Sequence, residues 1–361
     1  MESMYIHIPF CKNICSYCDF CKFVYHGPWI EKYLNALEKE IKSKYNGEVM
    51  KTVYIGGGTP SSLISQDLEK LLSIIKENIN VSSDLEYTIE CNLNDINEPL
   101  LDILKKYGIN RISVGIESFN PKKLEFMGRS HTFEEAQEKM NLMRNKGFDN
   151  INIDLIYGIP GETIRDLKKD VAQFIKLQPD HISTYSLIIE DNTKIAIQGV
   201  LPIEEDLDAR MYEYICEELD DKGFEHYEIS NYCRNNKYSR HNMKCWNNEE
   251  YYGFGVGASG YTYGVRYDNT KSLTEYFKGN YLLREKMLSK EEIMDNELML
   301  GLRKTKGIYL PAFYKKYGQN IQDVYDLKEV LKAKELLFED DYLFVNPVYI
   351  YVMNEILIKI L

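Results

Sequence analysis

From residue 4 to about 222 the chain alternates short β-branched or aromatic runs with longer amphipathic stretches, the sequence form of repeated β–α units. The pattern predicts strands at Met4–Ile8, Thr52–Ile55, Leu85–Glu90, Arg111–Ile116, Ile151–Tyr157 and His181–Ile189. Helices are predicted between them at Pro28–Lys44, Ile64–Asn78, Glu98–Tyr107, Phe133–Lys146 and Thr163–Leu177, and Glu204–Lys222 follows the last strand. Gly108, Gly147 and Gly223 stand where helix C-termini favour glycine. The class is α/β, with parallel strands joined by right-handed crossovers; periodicity alone leaves open whether they close into a barrel or form a doubly wound sheet. Residues 223–275, rich in Tyr, Asn and Gly, show little period and read as irregular structure packed on the preceding units. Beyond them Lys290–Leu302, Pro311–Tyr317 and Leu327–Leu337 read as helices. Glu339-Asp340-Asp341 is a turn between two β-rich stretches, and Val348–Ile360 is a last helix, so the tail suggests a small winged-helix-like domain. The expected division is a core at 1–222, a bridging segment at 223–285 and a C-terminal domain at 286–361.

Composition narrows the function classes. Hydrophobic residues make up 44% of the 361 and charged residues 28%, enough for a sizeable core and against wholesale disorder. A net charge of −12 is the wrong sign for a chain whose main partner is a nucleic acid or an anionic membrane surface. The acidic hairpin turn adds to that, and no apolar run is long enough for a transmembrane segment or a secretory leader. The expectation is a cytoplasmic protein whose 8 cysteines stay reduced, so clustered ones point to metal rather than to disulfides.

The strongest chemical signal is Cys11-Lys-Asn-Ile-Cys15-Ser-Tyr-Cys18, directly after the first strand. Three thiolates on one tight loop can each hold a different iron of a cubane cluster and leave the fourth iron open. The alternative is a zinc site completed by Cys21 or His7, although no second paired knuckle is present. Gly56-Gly57-Gly58-Thr59-Pro60-Ser61 ends the second strand; consecutive glycines let a ligand touch the backbone, and the lack of a Lys-Ser/Thr ending disfavours a nucleotide triphosphate. Glu90 closes the third strand, Glu117 follows the fourth, Asp154 lies in the fifth and Arg129 comes a short loop after the fourth. In a β/α barrel such strand ends converge on one face, where such enzymes place their sites. Gly255-Val-Gly-Ala-Ser-Gly260 satisfies the dinucleotide glycine pattern but opens no helix and follows no β–α repeat, so it is set aside.

Tyr5-Ile-His-Ile-Pro-Phe-Cys11 through Cys18-Asp-Phe, the Gly-Gly-Gly-Thr-Pro-Ser loop, Arg111-Ile-Ser-Val-Gly-Ile-Glu-Ser-Phe119, Asp154-Leu-Ile-Tyr-Gly-Ile-Pro160 and Tyr227-Glu-Ile-Ser-Asn231 resemble radical S-adenosylmethionine proteins of the anaerobic coproporphyrinogen oxidase group, and within it the heme chaperones. The resemblance covers nearly the whole chain and implies a partial (β/α)6 TIM-like barrel with the small C-terminal winged-helix-like domain. It implies that Cys11, Cys15 and Cys18 ligate a 4Fe-4S cluster whose open iron chelates S-adenosylmethionine, which one electron cleaves to a 5′-deoxyadenosyl radical. Tyr5, Gly57 and Glu90 match positions contacting a first S-adenosylmethionine; Tyr17, Gly58, Thr59, Glu117, Arg129 and Asp154 match those of a second. Glu117 stands where the family usually has Gln, which puts the second molecule in question. In Arg240-His241-Asn242-Met-Lys-Cys245-Trp246, His241 matches a position associated with heme, and Cys245 replaces the usual Tyr; the alternative is a hydrogen-bonded His packed beside a Trp. The implied function is delivery of heme to an acceptor protein, with a reductant protein for the cluster. The alternative is an oxygen-independent coproporphyrinogen III oxidase, which the early start of the cysteine loop and the spacing of Cys21 disfavour.

Overall fold

The structure, a computed structural model, describes all residues from Met1 to Leu361. Six parallel strands stand side by side in chain order: β1 (Ser3–Ile8), β2 (Met50–Gly57), β3 (Val81–Asn92), β4 (Arg111–Glu117), β5 (Ile151–Tyr157) and β6 (His181–Ser186). The helices after successive strands are α1 (Gly27–Lys44), α2 (Ser65–Asn78), α3 (Glu98–Lys106), α4 (Phe133–Asn145), α5 (Ile164–Lys176) and α6 (Glu205–Asp221). Local signals set their ends. Thr132 and Thr163 each form a capping box with the carboxylate three residues on, and Asn97 caps α3 through its side chain.

Residues 223–275 are more regular than the sequence suggested. β7 (Glu225–Glu228) pairs antiparallel with β8 (Asn231–Cys233), which in turn runs antiparallel beside β6, and after α7 (Arg240–Trp246) the strand β9 (Tyr252–Phe254) joins the free edge of β1 in parallel. The nine-stranded sheet therefore reads β9-β1-β2-β3-β4-β5-β6-β8-β7, and its two edges do not pair, so the barrel is partial. These strands are three or four residues long, too short for a two-residue period to stand out from Tyr- and Asn-rich surroundings. β10 (Ser259–Thr262), β11 (Val265–Asn269) and β12 (Leu282–Met287) form a small antiparallel sheet. The decoy glycines pack tightly here: a Cβ on Gly260 would overlap the Tyr267 ring, and one on Gly257 would overlap Cys21.

Alternation along the strands decides where the site lies. Residues such as Ile55, Ile89, Val114, Ile153 and Ile182 face the helices and belong to one large apolar core. Their neighbours, Tyr54, Glu90, Arg111, Ser113, Asn152, Asp154 and Ser183, line the interior of the barrel instead. The barrel interior thus carries polar side chains among apolar ones such as Ile156 and Leu187, while the large apolar core is the ring between sheet and helices.

The tail has its own core, in which Leu298, Leu302, Leu336, Leu343 and Met353 are almost wholly buried. Helix α8 (Lys290–Gly301) and three shorter helices pack on a three-stranded sheet made of Ile308–Tyr309, Leu336–Glu339 and Tyr342–Val345. In its hairpin Asp340 and Asp341 both adopt positive φ, as a two-residue turn of this hand requires. The final predicted helix divides into a 3₁₀ segment, Pro347–Val352, and a helix, Met353–Ile358. No helix is long and apolar enough to cross a membrane.

Candidate functional site

A cavity of about 730 Å³ opens at the C-terminal ends of the parallel strands. Its wall includes Cys11, Cys15, Tyr17, Cys18, Gly57, Gly58, Thr59, Glu90, Glu117, Arg129 and Asp154. Residues from Cys11 to Asp154 in the sequence thus share one space, which is what their placement on successive strands of a barrel predicts. Tyr5 and His241 are not part of that wall.

The cysteine loop is held at both ends and in the middle. Phe10–Cys11 pairs with Phe23–Val24, closing the loop, and the Phe23 amide donates to the Pro9 carbonyl at 2.6 Å. Ser16 Oγ donates to the Phe126 carbonyl at 2.6 Å, and Lys12 pairs with Asp95 at 2.7 Å. The Thr59 hydroxyl donates to Cys11 Sγ at 3.4 Å. Burial pushes the Cys11 thiol up to about 11 and the Cys18 thiol upward, so without a metal these thiols stay protonated at neutral pH. Nowhere do three or more His, Cys, Asp or Glu side chains converge closely enough to hold one metal ion. Cys11, Cys15 and Cys18 share one loop on the cavity wall, an arrangement in which each thiolate can take a different iron of a cluster. The completing zinc ligands are also absent from the cavity. His7 uses both ring nitrogens, on Tyr5 Oη at 3.0 Å and the Cys21 carbonyl at 2.7 Å, and Cys21 Sγ points to the Lys271 carbonyl.

The glycine loop fits against its neighbours with no room for side chains. A Cβ on Gly56 would lie 2.7 Å from Glu90 Oε1, and one on Gly58 would lie 2.9 Å from the Ile8 carbonyl and 3.0 Å from Cys11 Sγ. Gly57 has φ +112°, and its amide donates to Glu90 Oε2 at 2.9 Å. Glu90 Oε1 accepts from Tyr54 Oη, also at 2.9 Å. Burial nonetheless pushes the Glu90 carboxyl up to about 7.

Glu117 ends β4 at a register shift with φ 70°, a conformation that turns its carboxylate toward Arg129. Arg129 Nη2 donates to Glu117 Oε1 at 2.8 Å and also lies 3.5 Å from Tyr17 Oη, while Nη1 donates to the Gly115 carbonyl at 3.0 Å. Burial pushes the Glu117 carboxyl up to about 7 even beside that guanidinium. Asp154 accepts from Asn152 Nδ2 at 2.8 Å, and its carboxyl too is pushed upward by burial.

His241 lies elsewhere. Its Nδ1 is 3.1 Å from Thr52 Oγ1, its ring packs on Tyr54 with centroids 5.2 Å apart, and its amide donates to Glu86 Oε1 at 2.9 Å. Thr52 is five residues before Gly57, roughly 16 Å back along β2. The imidazole is therefore a packed, hydrogen-bonded group beneath the cavity floor, held neutral by burial and by nearby Arg111 and Lys244, with its value pushed down to about 3. Its neighbour Asn242 reaches the cavity wall. The sequence reading also passed over Tyr54, Arg111, Ser113, Asn152, Ser183 and Tyr185, all of which line the cavity.

Comparisons with known proteins agree with this geometry. Residues 5–174 match the Radical SAM superfamily, and residues 288–347 match the HemN C-terminal domain. The chain is 40% identical to the heme chaperone HemW of Lactococcus lactis subsp. lactis over 348 residues, covering 94% of this chain and 91% of that one. It is 38% identical to the heme chaperone HemW of Bacillus subtilis, covering 90% of this chain and 89% of that one. Among solved structures it resembles the coproporphyrinogen III oxidase HemN of Escherichia coli, a radical SAM enzyme, with a TM-score of 0.87 at 22% identity over 99% of this chain and 89% of that chain.

Proposed function

We propose that this chain, which belongs to the HemW family of the radical S-adenosylmethionine superfamily, is a heme chaperone that binds a 4Fe-4S cluster, S-adenosylmethionine and heme and passes heme to an acceptor protein. The observation that carries the reading is the shared cavity, in which three thiols of one loop stand with a glycine turn and three carboxyls.

In this reading Cys11, Cys15 and Cys18 hold the cluster. When bound, the cluster supplies one electron, taken from a separate reductant protein, to the sulfonium of S-adenosylmethionine. The chain's own groups bind and orient. Gly57 and Gly58 offer backbone to a ligand that lies against them, and Glu90, fixed by Tyr54 and the Gly57 amide, faces its cationic end. Thr59 orients Cys11. Arg129, Glu117, Tyr17 and Asp154 form a second polar wall for a second molecule of S-adenosylmethionine. Because Arg129 holds Glu117 on its guanidinium, the extra charge at that position is met within the protein. Tyr5 acts from behind, bonded to His7 against the Tyr54 ring.

We place the barrel in residues 1–222, the bridging segment in 223–285 and the acceptor-facing domain in 286–361, in a protein working in the cytoplasm. The net charge of −12 supports a protein acceptor over a nucleic acid. Anaerobic reconstitution tests the cluster: about four iron and four sulfide per chain are expected, lost in Cys11→Ala, Cys15→Ala and Cys18→Ala and kept in Cys21→Ser. Tight zinc uptake without iron would sink the reading. Heme titration run beside incubation with coproporphyrinogen III, S-adenosylmethionine and a reductant separates chaperone from oxidase, the expected result being a Soret band and no porphyrin product.

A further inference from the structure

Only two cationic side chains of the chain are fully buried, Lys123 and Arg111. They are treated in opposite ways. Lys123 lies 2.6 Å from Glu162 and 2.9 Å from Asp170 and also donates to the Ile156 carbonyl at 3.0 Å, as a buried charge requires. Arg111 is 2% exposed, and its Nε has no hydrogen-bond partner. The guanidinium enters no ion pair; the one ion pair within the cavity wall is that of Arg129 with Glu117.

The neighbouring carboxyls leave it unpartnered because each is already held. Glu90 is taken by Tyr54 and the Gly57 amide, Glu117 by Arg129 and Asp154 by Asn152. Arg111 instead lines the same cavity as the neutral groups Ser113, Asn152, Ser183 and Asn242 and the tyrosine Tyr54. It opens β4, six residues before Glu117, which places its Cα roughly 20 Å along the strand from the mouth where the cysteines stand. A planar fork of donors, buried, in no ion pair and lining a cavity, is built for a bidentate oxyanion, and among such anions a carboxylate matches the fork best.

We propose that Arg111 is the anchor of a carboxylate-binding subsite at the floor of the barrel, filled by a ligand whose acidic arm reaches below the mouth. The proposal rests on the reading of the chain as a protein that binds S-adenosylmethionine and heme, and those two supply the two sources of the carboxylate: the methionyl group of a second S-adenosylmethionine, not the one on the cluster, or a heme propionate. The bound carboxylate completes the pairing that the fold withholds from Arg111 alone.

The full chain with its cluster reconstituted is titrated with heme, with heme dimethyl ester and with S-adenosylmethionine, as wild type, Arg111→Gln and Arg111→Lys, with circular dichroism checking the fold. A propionate in the subsite predicts that Arg111→Gln weakens heme binding about thirty-fold or more and leaves the ester unchanged. Wild type then prefers heme to the ester by a similar factor, a measure that needs no variant. A methionyl carboxylate predicts the same loss for S-adenosylmethionine, with heme unaffected. Arg111→Lys, which keeps the charge and loses the fork, falls between the two. Unchanged binding of both ligands in Arg111→Gln, or in Arg111→Lys should the Gln variant not fold, overturns the subsite. Failure of wild type to take up heme overturns the chaperone reading instead, and the S-adenosylmethionine series still decides the role of Arg111.

Discussion

Glu90 shows how burial can make one residue a reporter for ligand. Its carboxyl is pushed up to about 7 because desolvation outweighs the hydrogen bonds from Tyr54 and the Gly57 amide. A cationic ligand beside it favours the ionised form, so binding and proton release are linked. S-adenosylmethionine carries an ammonium and a sulfonium, and its affinity is expected to rise roughly tenfold between pH 6 and pH 8, the interval over which Glu90 ionises. Equilibrium dialysis across that range, repeated with Glu90→Gln, checks this: the variant binds more weakly and with a flat profile, while a wild-type profile that falls with pH contradicts the assignment. For the apo protein the sign is opposite. A carboxyl raised in the folded state holds its proton more tightly than in the unfolded chain, so Glu90 and Glu117 stabilise the fold less as pH climbs from about 4.5 through about 7. At this scale the sequence was readable where a residue stood near a strand end or within a recognisable motif, as Glu90 and Asp154 respectively do. Tyr54 and Arg111 were missed for a physical reason. Arg111-Ile-Ser-Val-Gly-Ile-Glu117 already alternates polar and apolar, which marks an inward polar face, but an isolated Arg opening a strand reads equally well as solvent-exposed until the barrel closes around it.

Two short elements carry much of the remaining specificity. The Gly56–Gly58 turn is as tight as its sequence suggested, and the structure separates the reasons: Gly56 and Gly58 leave room for Glu90 and for Cys11, whereas Gly57 also needs its positive φ. Gly57→Ala is therefore expected to cost about 1–3 kcal/mol in denaturant unfolding and to lose S-adenosylmethionine binding, because the new Cβ runs into the His7 ring. A stable variant that still binds the ligand refutes the assignment. Helix α7 makes the opposite point. His241 and Cys245 are four residues apart on it, a spacing that suits two axial ligands, and that spacing was legible in the sequence. The location was not, since nothing in residues 223–250 says that the helix packs under β2 and β3 with its imidazole on Thr52 and Tyr54. His241→Ala is accordingly expected to lower stability by about 1–3 kcal/mol, through a lost hydrogen bond and lost packing, and to leave the Soret band of the heme-loaded protein where it is. A shifted or missing Soret band in a folded variant would restore the imidazole as a heme ligand.

Over the whole molecule the barrel core and the tail core meet at a seam in which hydrogen bonds run beside apolar contacts of Ile350 and Ile229. The Ile229 amide donates to the Arg303 carbonyl at 3.0 Å and the Thr305 amide to the Tyr227 carbonyl at 3.1 Å, so the tail continues the hydrogen bonding of β7. Lys304 Nζ reaches Asn247 Oδ1 at 2.6 Å. Farther along, Tyr351 donates to Asp208 at 2.9 Å and packs on Tyr212, and both Tyr351 and Asn354 reach the cavity wall. The tail therefore closes part of the open side of the partial barrel, and a ligand in the cavity touches residues rooted in both cores. Ligand binding to the folded state alone stabilises by about 2.7 kcal/mol at a hundred times Kd, or several degrees of melting temperature for a chain of this size. If the seam couples the cores, the cluster-loaded protein melts in one transition and saturating S-adenosylmethionine moves all of it upward. Tyr351→Phe, which keeps the ring and removes the hydrogen bond to Asp208, should lower that transition by about 1 kcal/mol without splitting it. Calorimetry decides the matter: two steps in the wild type, with only the larger one moved by ligand, would mean that the tail rests on the barrel without sharing its stability, and the cavity would then belong to the barrel alone.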